Sequence, residues 1–157
     1  MRLKKESVWK YPRPPIWQYH KGEIEIIHNK KILAKTIHAI RIIETSHPPT
    51  YYLPIKSIDI KKLVINNNNT YCEWKGIANY YDYIDNKQNI KNIGWFYPDP
   101  TNKFSLIKNY VSFYASKLDK CFVNKKNVIK QQGNYYGGWI TDNLIGPFKG
   151  GMGTDSW

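Results

Sequence analysis

Cysteine is scarce in this chain of 157 residues, which has only Cys72 and Cys121. Two thiols without a C-x-x-C motif cannot complete a zinc site alone. The charged start of the chain lacks the apolar stretch of a signal peptide, so a disulfide framework has no support. No apolar run approaches the roughly 20 residues of a membrane span. We therefore expect a soluble, cytoplasmic protein without a membrane partner.

Acidic residues and arginine are also few. The chain has 12 acidic against 24 basic residues, a formal net charge of +12, and arginine only at positions 2, 13 and 41. Basic chains attract nucleic acid and acidic ligands. Arginine is the better bidentate reader of phosphate and guanine, and the lysines here are scattered rather than clustered. Nucleic-acid binding is therefore possible but not favoured, and a solvated lysine surface is the simpler interpretation.

Aromatic residues, in contrast, are abundant, with 13 Tyr, 6 Trp and 5 Phe. The length suits a single domain with a sizeable core. Tyr and Trp bring large buried area and need a polar partner for their OH or NH groups. Some of these rings would line a pocket, although a core built from rings is the simpler alternative for each of them.

Short segments with alternating polar and apolar residues indicate strands. Residues 23–28 and 32–36 flank the turn 29–31 and predict a β-hairpin, and residues 119–130 repeat that pattern. Residues 38–43 predict a strand with Arg41 and Ile43 on one face. Residues 66–69 suggest a loop or the end of a hairpin, residues 70–75 a strand, and residues 104–108 the one short helix. We expect an extended N-terminal arm over residues 1–20 and a single β domain over residues 21–157.

The loop over residues 44–54 is the most informative segment, because three prolines stiffen a loop that carries several reactive side chains. Residues held so firmly lose little entropy when they bind a ligand. Glu44 and His47 are candidates for an acid–base pair, with Arg41 binding an anionic group and Ser46 beside them. The alternative is an Arg–Glu ion pair that only fixes the loop.

Further candidates lie on the predicted strands and in the glycine-rich tail. Glu73 would share a face with Lys75, either as a second carboxylate beside Glu44 or as a surface charge. Cys72 is expected to be an inert buried thiol rather than a nucleophile. An aromatic cleft would bind the ligand through Tyr51, Tyr52, Trp74, Tyr80, Trp95, Tyr97, Tyr136 and Trp139. Lys149 of the tail is a further candidate ligand-binding residue.

Several longer motifs resemble one known family. They are residues 44–49, 51–54, 72–76, 80–82, 95–100, 110–114, 136–140 and 146–151. They resemble domain-of-unknown-function family 427, whose label mentions a nucleotidyltransferase. The resemblance implies a small β-tent-like fold, in which two antiparallel sheets meet at an angle, and some relatives carry a tetra-cysteine zinc. This sequence lacks those cysteine pairs, a P-loop, and the paired aspartates that nucleotidyl transfer on two metals needs.

These observations favour a small-molecule-binding, mainly β domain with two antiparallel sheets. Its aromatic cleft would end in an Arg/Glu/His cluster and would take a planar or anionic ligand. The alternatives are an enzyme that uses the Glu/His pair on a nucleotide-like or other small substrate, and a protein- or nucleic-acid-binding module. The sequence identifies no cofactor, and a homodimer is the general default for an assembly.

Overall fold

Short strands dominate the structure, a computed structural model that describes residues 3–133 and 135–157. The first two residues of the expected arm lie outside this part. The strands are β1 (Glu6–Ser7), β2 (Ile16–Tyr19), β3 (Ile24–His28), β4 (Lys31–Thr36), β5 (Ile40–Ile43), β6 (Thr50–Pro54), β7 (Leu63–Cys72), β8 (Gly76–Ile84), β9 (Asn89–Phe96), β10 (Tyr110–Phe113), β11 (Lys120–Val123), β12 (Lys126–Asn127), β13 (Ile129–Lys130), β14 (Trp139–Ile140) and β15 (Leu144–Ile145). The expected mainly β fold is confirmed.

The helical segments in the described residues are all 3-10 turns. The longest, Asn102–Ile107, lies where the sequence predicts the one short helix. The others have three residues each and are Val8–Lys10, Ile55–Ser57, Ile60–Lys62 and Ala115–Lys117.

Two antiparallel sheets form the body of the protein. The larger has seven strands in the order β2-β5-β6-β10-β9-β8-β7, and the smaller has four in the order β12-β11-β3-β4. The strands β13 and β14 form a separate antiparallel pair, and β1 and β15 pair in parallel. The edge strand β2 comes from the segment expected as an N-terminal arm, and it pairs with β5 from Ile16 to Tyr19.

The smaller sheet consists of the two predicted hairpins side by side. Asn29 and Lys30 connect β3 to β4 with φ of 49° and 65°, and Asn124 and Lys125 connect β11 to β12 with φ of 49° and 67°. Two consecutive residues with positive φ are the signature of the tight hairpin turn that matches strand twist. Because β11 also pairs with β3, the sequence echo corresponds to neighbouring hairpins in one sheet.

The seven-stranded sheet buries apolar side chains on both faces, because successive residues of a strand point to opposite sides. On β6, Tyr51 and Leu53 join the core between the two sheets, where they meet Ile24 and Ile26 of the smaller sheet. Tyr52 points the other way and joins a second apolar cluster. This second cluster forms the floor of the cleft described below.

The asparagine run at 66–69 lies inside strand β7, so the prediction of a loop or a hairpin end there is wrong. The Asn66 amide donates to Asp82 Oδ1 and to Asn92 Oδ1, both at 2.7 Å, and the Asn92 backbone N–H donates to Asp82 Oδ1 at 2.9 Å. The β7–β8 register shifts between Ile65 and Asn69. Side-chain hydrogen bonds thus support the strand where ladder pairing is interrupted.

Residues 73–75 form a turn between β7 and β8, so the prediction that the strand continues through them is also wrong. Gly76 ends the turn with φ of 109°, a conformation that glycine adopts without a Cβ clash. Thr101 fixes the turn, because its hydroxyl donates to the Trp74 carbonyl at 2.7 Å and its N–H donates to the Lys75 carbonyl at 3.0 Å. Trp74 and Lys75 therefore stand on a rigid support.

The two terminal segments are fastened to each other. The pairing of β1 with β15 brings Glu6 beside Leu144. The Trp9 indole N–H donates to the Pro147 carbonyl at 2.7 Å, and its ring lies edge-on to Trp157 at 5.2 Å between centroids. The glycine-rich tail is consequently packed against the domain over these contacts.

Candidate functional site

A cleft of about 570 Å³ lies on the face of the seven-stranded sheet opposite the smaller sheet. This volume lies in the range of small-molecule sites. The side chains and backbone that line it are Arg13, Ile42, Glu44, His47, Pro48, Thr50, Tyr52, Thr70, Tyr71, Cys72, Glu73, Trp74, Lys75, Tyr80, Trp95, Tyr97, Tyr114, Gln131, Tyr135, Tyr136, Gly137, Lys149 and Trp157.

A second cavity of about 120 Å³ lies between two hairpin turns. Asp85 at its edge already accepts hydrogen bonds from the Tyr83 hydroxyl, from the Asn29 amide and from the backbone of Lys87 and Gln88. The polar groups there are occupied in holding the turns together, so the large cleft is the better candidate for a binding site.

The floor of the cleft is a set of aromatic rings locked together by polar contacts. The Trp95 indole N–H donates to the Tyr52 hydroxyl at 3.1 Å, in the buried part of the sheet. Trp95 also lies 4.7 Å from the Tyr114 ring, and the Tyr52 ring lies 6.4 Å from that of Tyr97. Ring pairs at such distances contribute beyond their buried area, so the floor keeps its shape without a ligand.

The tail forms one wall of the cleft. Gln131 is buried and holds two parts of this wall, since its amide donates to the Lys149 carbonyl at 2.8 Å and its Oε1 accepts from the Gly138 N–H at 2.9 Å. Gly137 lies against Trp95 so closely that a Cβ there would come within 2.3 Å of the indole. Only a residue without a side chain lets the wall pass over the floor at this point.

Three basic side chains enter the cleft from separate segments. Arg13 is paired, because its Nε donates to Glu44 Oε2 at 3.2 Å and a terminal nitrogen donates to the Thr45 carbonyl at 2.8 Å. Lys149 is buried and donates to main-chain oxygen atoms of Asp155 at 3.2 Å and of the last residue, Trp157, at 3.1 Å. The third cation is Lys75.

Lys75 carries a charge for which the described residues provide no carboxylate partner. Its ammonium lies 5.8 Å from the centroid of the Tyr97 ring, within reach of a cation–π attraction. Burial disfavours the charged form, but Tyr52, Cys72 and the negative charge of Glu44 together hold the pKa of Lys75 above its ordinary value. Lys75 is thus a protonated, partly buried cation.

His47 lies among these cations. Burial, together with the charges of Lys149, Arg13 and Lys75, lowers the pKa of His47 to about 4. The imidazole is neutral at pH 7 and packs edge-on against Tyr136 at 4.8 Å. Its Nε2 lies 4.0 Å from Glu44 Oε2, beyond the 2.6–3.2 Å of a working acid–base hydrogen bond.

The structure brings ten of the fourteen predicted site residues to this cleft. They are Glu44, His47, Tyr52, Glu73, Trp74, Tyr80, Trp95, Tyr97, Tyr136 and Lys149. Glu73 reaches it from the 73–75 turn and is exposed, rather than sharing a strand face with Lys75.

Arg41 does not join Glu44 and His47, so the predicted three-residue cluster is wrong in its geometry. The cleft lies on the Ile42 face of β5, and alternation turns Arg41 to the other face. There its two terminal nitrogens donate to the two Glu6 oxygens at 3.0 and 2.9 Å, and its Nε donates to Gln18 at 2.9 Å. Arg41 fastens the N-terminal segment to the sheet.

Three other predicted residues also lie outside the cleft. Tyr51 and Trp139 belong to the core between the sheets, and the Trp139 indole N–H donates to the Phe113 carbonyl at 2.9 Å. Ser46 is fully buried with φ of 71°; its N–H donates to the Val8 carbonyl, and its own carbonyl accepts from the Lys149 N–H. Ser46 thus links the two terminal segments.

Sequence reasoning missed the residues that come from distant segments. Arg13 reaches the cleft from the proline-rich arm, where its position two residues after Tyr11 carries no signal. Lys75 stands in the motif 72–76, but a strand interpretation placed it on the surface. Tyr135 and Trp157 belong to the ring-rich tail, and that richness in a glycine-containing segment was the one signal that could have placed them.

Neither a metal-binding cluster nor a membrane-spanning helix occurs in the described ranges. They contain no cluster of three or more His, Cys, Asp or Glu side chains that could hold a metal ion. None of the helical segments described is long and apolar enough to cross a bilayer.

Comparison with protein families agrees with the motifs. The model of a domain of unknown function (DUF427), named NTP_transf_9, matches residues 16–124. A search of curated proteins gave no match. The matched range contains the seven strands of the larger sheet and most of the cleft floor, whereas Arg13 and the tail wall lie outside it. Over two-thirds of its length, this chain belongs to the DUF427 family.

Proposed function

We propose that this protein binds a small molecule with a planar ring in the large cleft. The observation that carries the proposal is the cleft itself: about 570 Å³ enclosed by rings from the sheet, the 73–75 turn and the tail. Aromatic walls stack planar ligands with little loss of side-chain entropy, since Tyr and Trp have only two rotatable side-chain bonds.

The polar end of the cleft supports ligand positioning rather than acid–base chemistry. Glu44 is engaged by Arg13, and the pKa of His47, about 4, makes its imidazole a weak base at pH 7. A neutral imidazole can still donate one hydrogen bond and accept another. His47 would therefore orient a ligand whose ring lies against Tyr136.

The test is saturation-transfer NMR with planar aromatic fragments that are neutral, anionic or cationic. Trp74 and Trp17 are a matched pair, because both are partly buried and pack against the same apolar cluster, but only Trp74 lines the cleft. We expect Trp74→Ala to abolish fragment binding and Trp17→Ala to leave it intact. The proposal is overturned if no fragment binds, or if both substitutions reduce binding equally.

A further inference from the structure

The hydroxyl of Tyr97 stands out in the cleft floor, because it forms no hydrogen bond with the described residues. Tyr97 lines the cleft and is only 5% exposed. Its neighbours in the floor are paired: the Tyr80 hydroxyl shares a hydrogen bond with Thr70 Oγ1 at 2.8 Å, and the Tyr114 hydroxyl donates to the Tyr135 carbonyl at 3.0 Å. Buried polar groups are nearly always paired, so Tyr97 is an exception that needs a physical reason.

The Tyr97 hydroxyl opens to the cleft rather than to the protein interior. Among the described residues, the side-chain hydroxyls that are both completely enclosed and without a partner are those of Ser46 and Ser112. The Tyr97 hydroxyl is not enclosed in this way, and the cleft is the space that its side chain borders. A hydroxyl that loses water without gaining a new partner is unfavourable. A ligand that covers Tyr97 is therefore favoured if it offers a hydrogen-bonding atom.

A second donor lies over the same ring. The Lys75 ammonium is 5.8 Å from the centroid of the Tyr97 ring, and both side chains line the cleft. An ammonium can donate hydrogen bonds but cannot accept them. The 73–75 turn is fixed by Thr101, and the Tyr97 ring packs against that of Tyr52. Both donors thus stand on rigid supports, which lowers the entropy cost of binding.

We propose that the ligand carries a carbonyl oxygen on its planar ring, and that this oxygen accepts hydrogen bonds from the Tyr97 hydroxyl and the Lys75 ammonium. A carbonyl oxygen has two lone pairs, so it can accept from both donors at once. Aryl ketones and aryl carboxamides share this group. The ligand needs no charge of its own, because the negative charge of Glu44 already acts on Lys75. This inference rests on the proposed function; it adds the chemical class of the ligand and makes Tyr97 a specificity-determining residue.

The test compares acetophenone with α-methylstyrene, in which a CH₂ group replaces the carbonyl oxygen on a frame of the same shape. NMR titrations give the dissociation constants of both fragments. Tyr97→Phe keeps the ring and removes only the hydroxyl, so it should weaken acetophenone binding about three- to tenfold without weakening α-methylstyrene binding. Tyr110→Phe is the matched control and should change neither constant, because Tyr110 packs against the same apolar cluster but does not line the cleft.

Two further measurements test the hydrogen bonds themselves. Lys75→Met removes the second donor with little change in side-chain length, and it should also weaken acetophenone binding relative to α-methylstyrene binding. The carbon-13 resonance of the acetophenone carbonyl, extrapolated to saturation, should move upfield in Tyr97→Phe, because its oxygen then accepts one hydrogen bond fewer. A purely structural role of Tyr97 would change the affinity for both fragments instead. If Tyr97→Phe does not fold, the ratio of the two constants in Lys75→Met still decides.

The possible outcomes separate this inference from the proposed function. If Tyr97→Phe weakens both fragments to the same extent, or weakens neither, the carbonyl assignment is overturned and ring binding stands. If benzoate binds more tightly than acetophenone and loses this advantage in Lys75→Met, the ligand is an aryl carboxylate and the neutral carbonyl class is wrong. If neither acetophenone nor α-methylstyrene binds in a manner sensitive to Trp74→Ala, both proposals fail.

Discussion

Acid should destabilise this protein through His47, beginning above the pH at which carboxylates titrate. The pKa of His47 is about 4 in the folded chain, against 6.5 for an ordinary histidine. The unfolded chain therefore binds an extra proton between these values. The stabilising contribution of the neutral ring is complete above pH 6.5 and is lost as the pH falls toward 4.

The size of the effect follows from the two pKa values. The free energy of unfolding should fall by about 2 kcal/mol between pH 7 and pH 5, and by about 3 kcal/mol by pH 4, from this group alone. His47→Phe keeps a ring against Tyr136 but cannot be protonated. The variant should lose about 2 kcal/mol less than the unmodified protein between pH 7 and pH 5.

Urea unfolding at pH 7, 6 and 5 measures this difference. Burial also lowers the pKa of His20, so the unmodified protein and His47→Phe share that contribution and it cancels in the comparison. His38→Phe at an exposed position is the matched control for the exchange of an imidazole for a phenyl ring. The electrostatic account of His47 would be refuted if the free energy of unfolding fell equally with pH in the unmodified protein and in His47→Phe. A pKa near 6.5 for His47, measured by NMR, would refute it as well.

Three other perturbations test the packing. Gly137→Ala places a methyl group against the cleft floor and should cost about 1–3 kcal/mol of unfolding free energy, with weaker fragment binding; wild-type stability would contradict the close approach. Glu6→Gln leaves Arg41 without its carboxylate and should lower the free energy of unfolding, measured by urea denaturation, by about 2–4 kcal/mol. A decrease below about 0.5 kcal/mol would mean that the ion pair is exposed to solvent. Burial raises the pKa of Cys121 to about 12, so at pH 8 a thiol reagent should label Cys72 alone until the chain unfolds.

The strands and hairpins were predictable because their signals are local. The alternation around Ile40, Arg41 and Ile42 correctly separates the two faces of β5, and the turn at 29–31 correctly predicts the β3–β4 hairpin. The asparagine run misled the prediction, since its strand is supported by contacts with Asp82 and Asn92, which are distant in sequence.

The cleft was predictable only in part. The local sequence does not show which face of β5 packs against the smaller sheet. In the structure, Arg41 lies on that face, away from the cleft, and Ile42 lies on the cleft face. The ion pair of Arg13 with Glu44 joins residues 31 positions apart, and the position of Lys75 depends on the contacts that Thr101 makes with a turn. Tertiary structure, rather than propensity, decides these positions.

The fastening of the two termini to each other has a consequence for how ligand preference can diverge. The region shared with the family, residues 16–124, supplies the aromatic floor and Lys75, whereas Arg13 and Lys149 come from segments outside it. Those segments bind one another through β1, β15 and the Trp9 contacts, so they can change together while the sheet stays intact. Relatives with the same core could therefore recognise different molecules, and ligand identity should be compared through the terminal segments rather than through the family match.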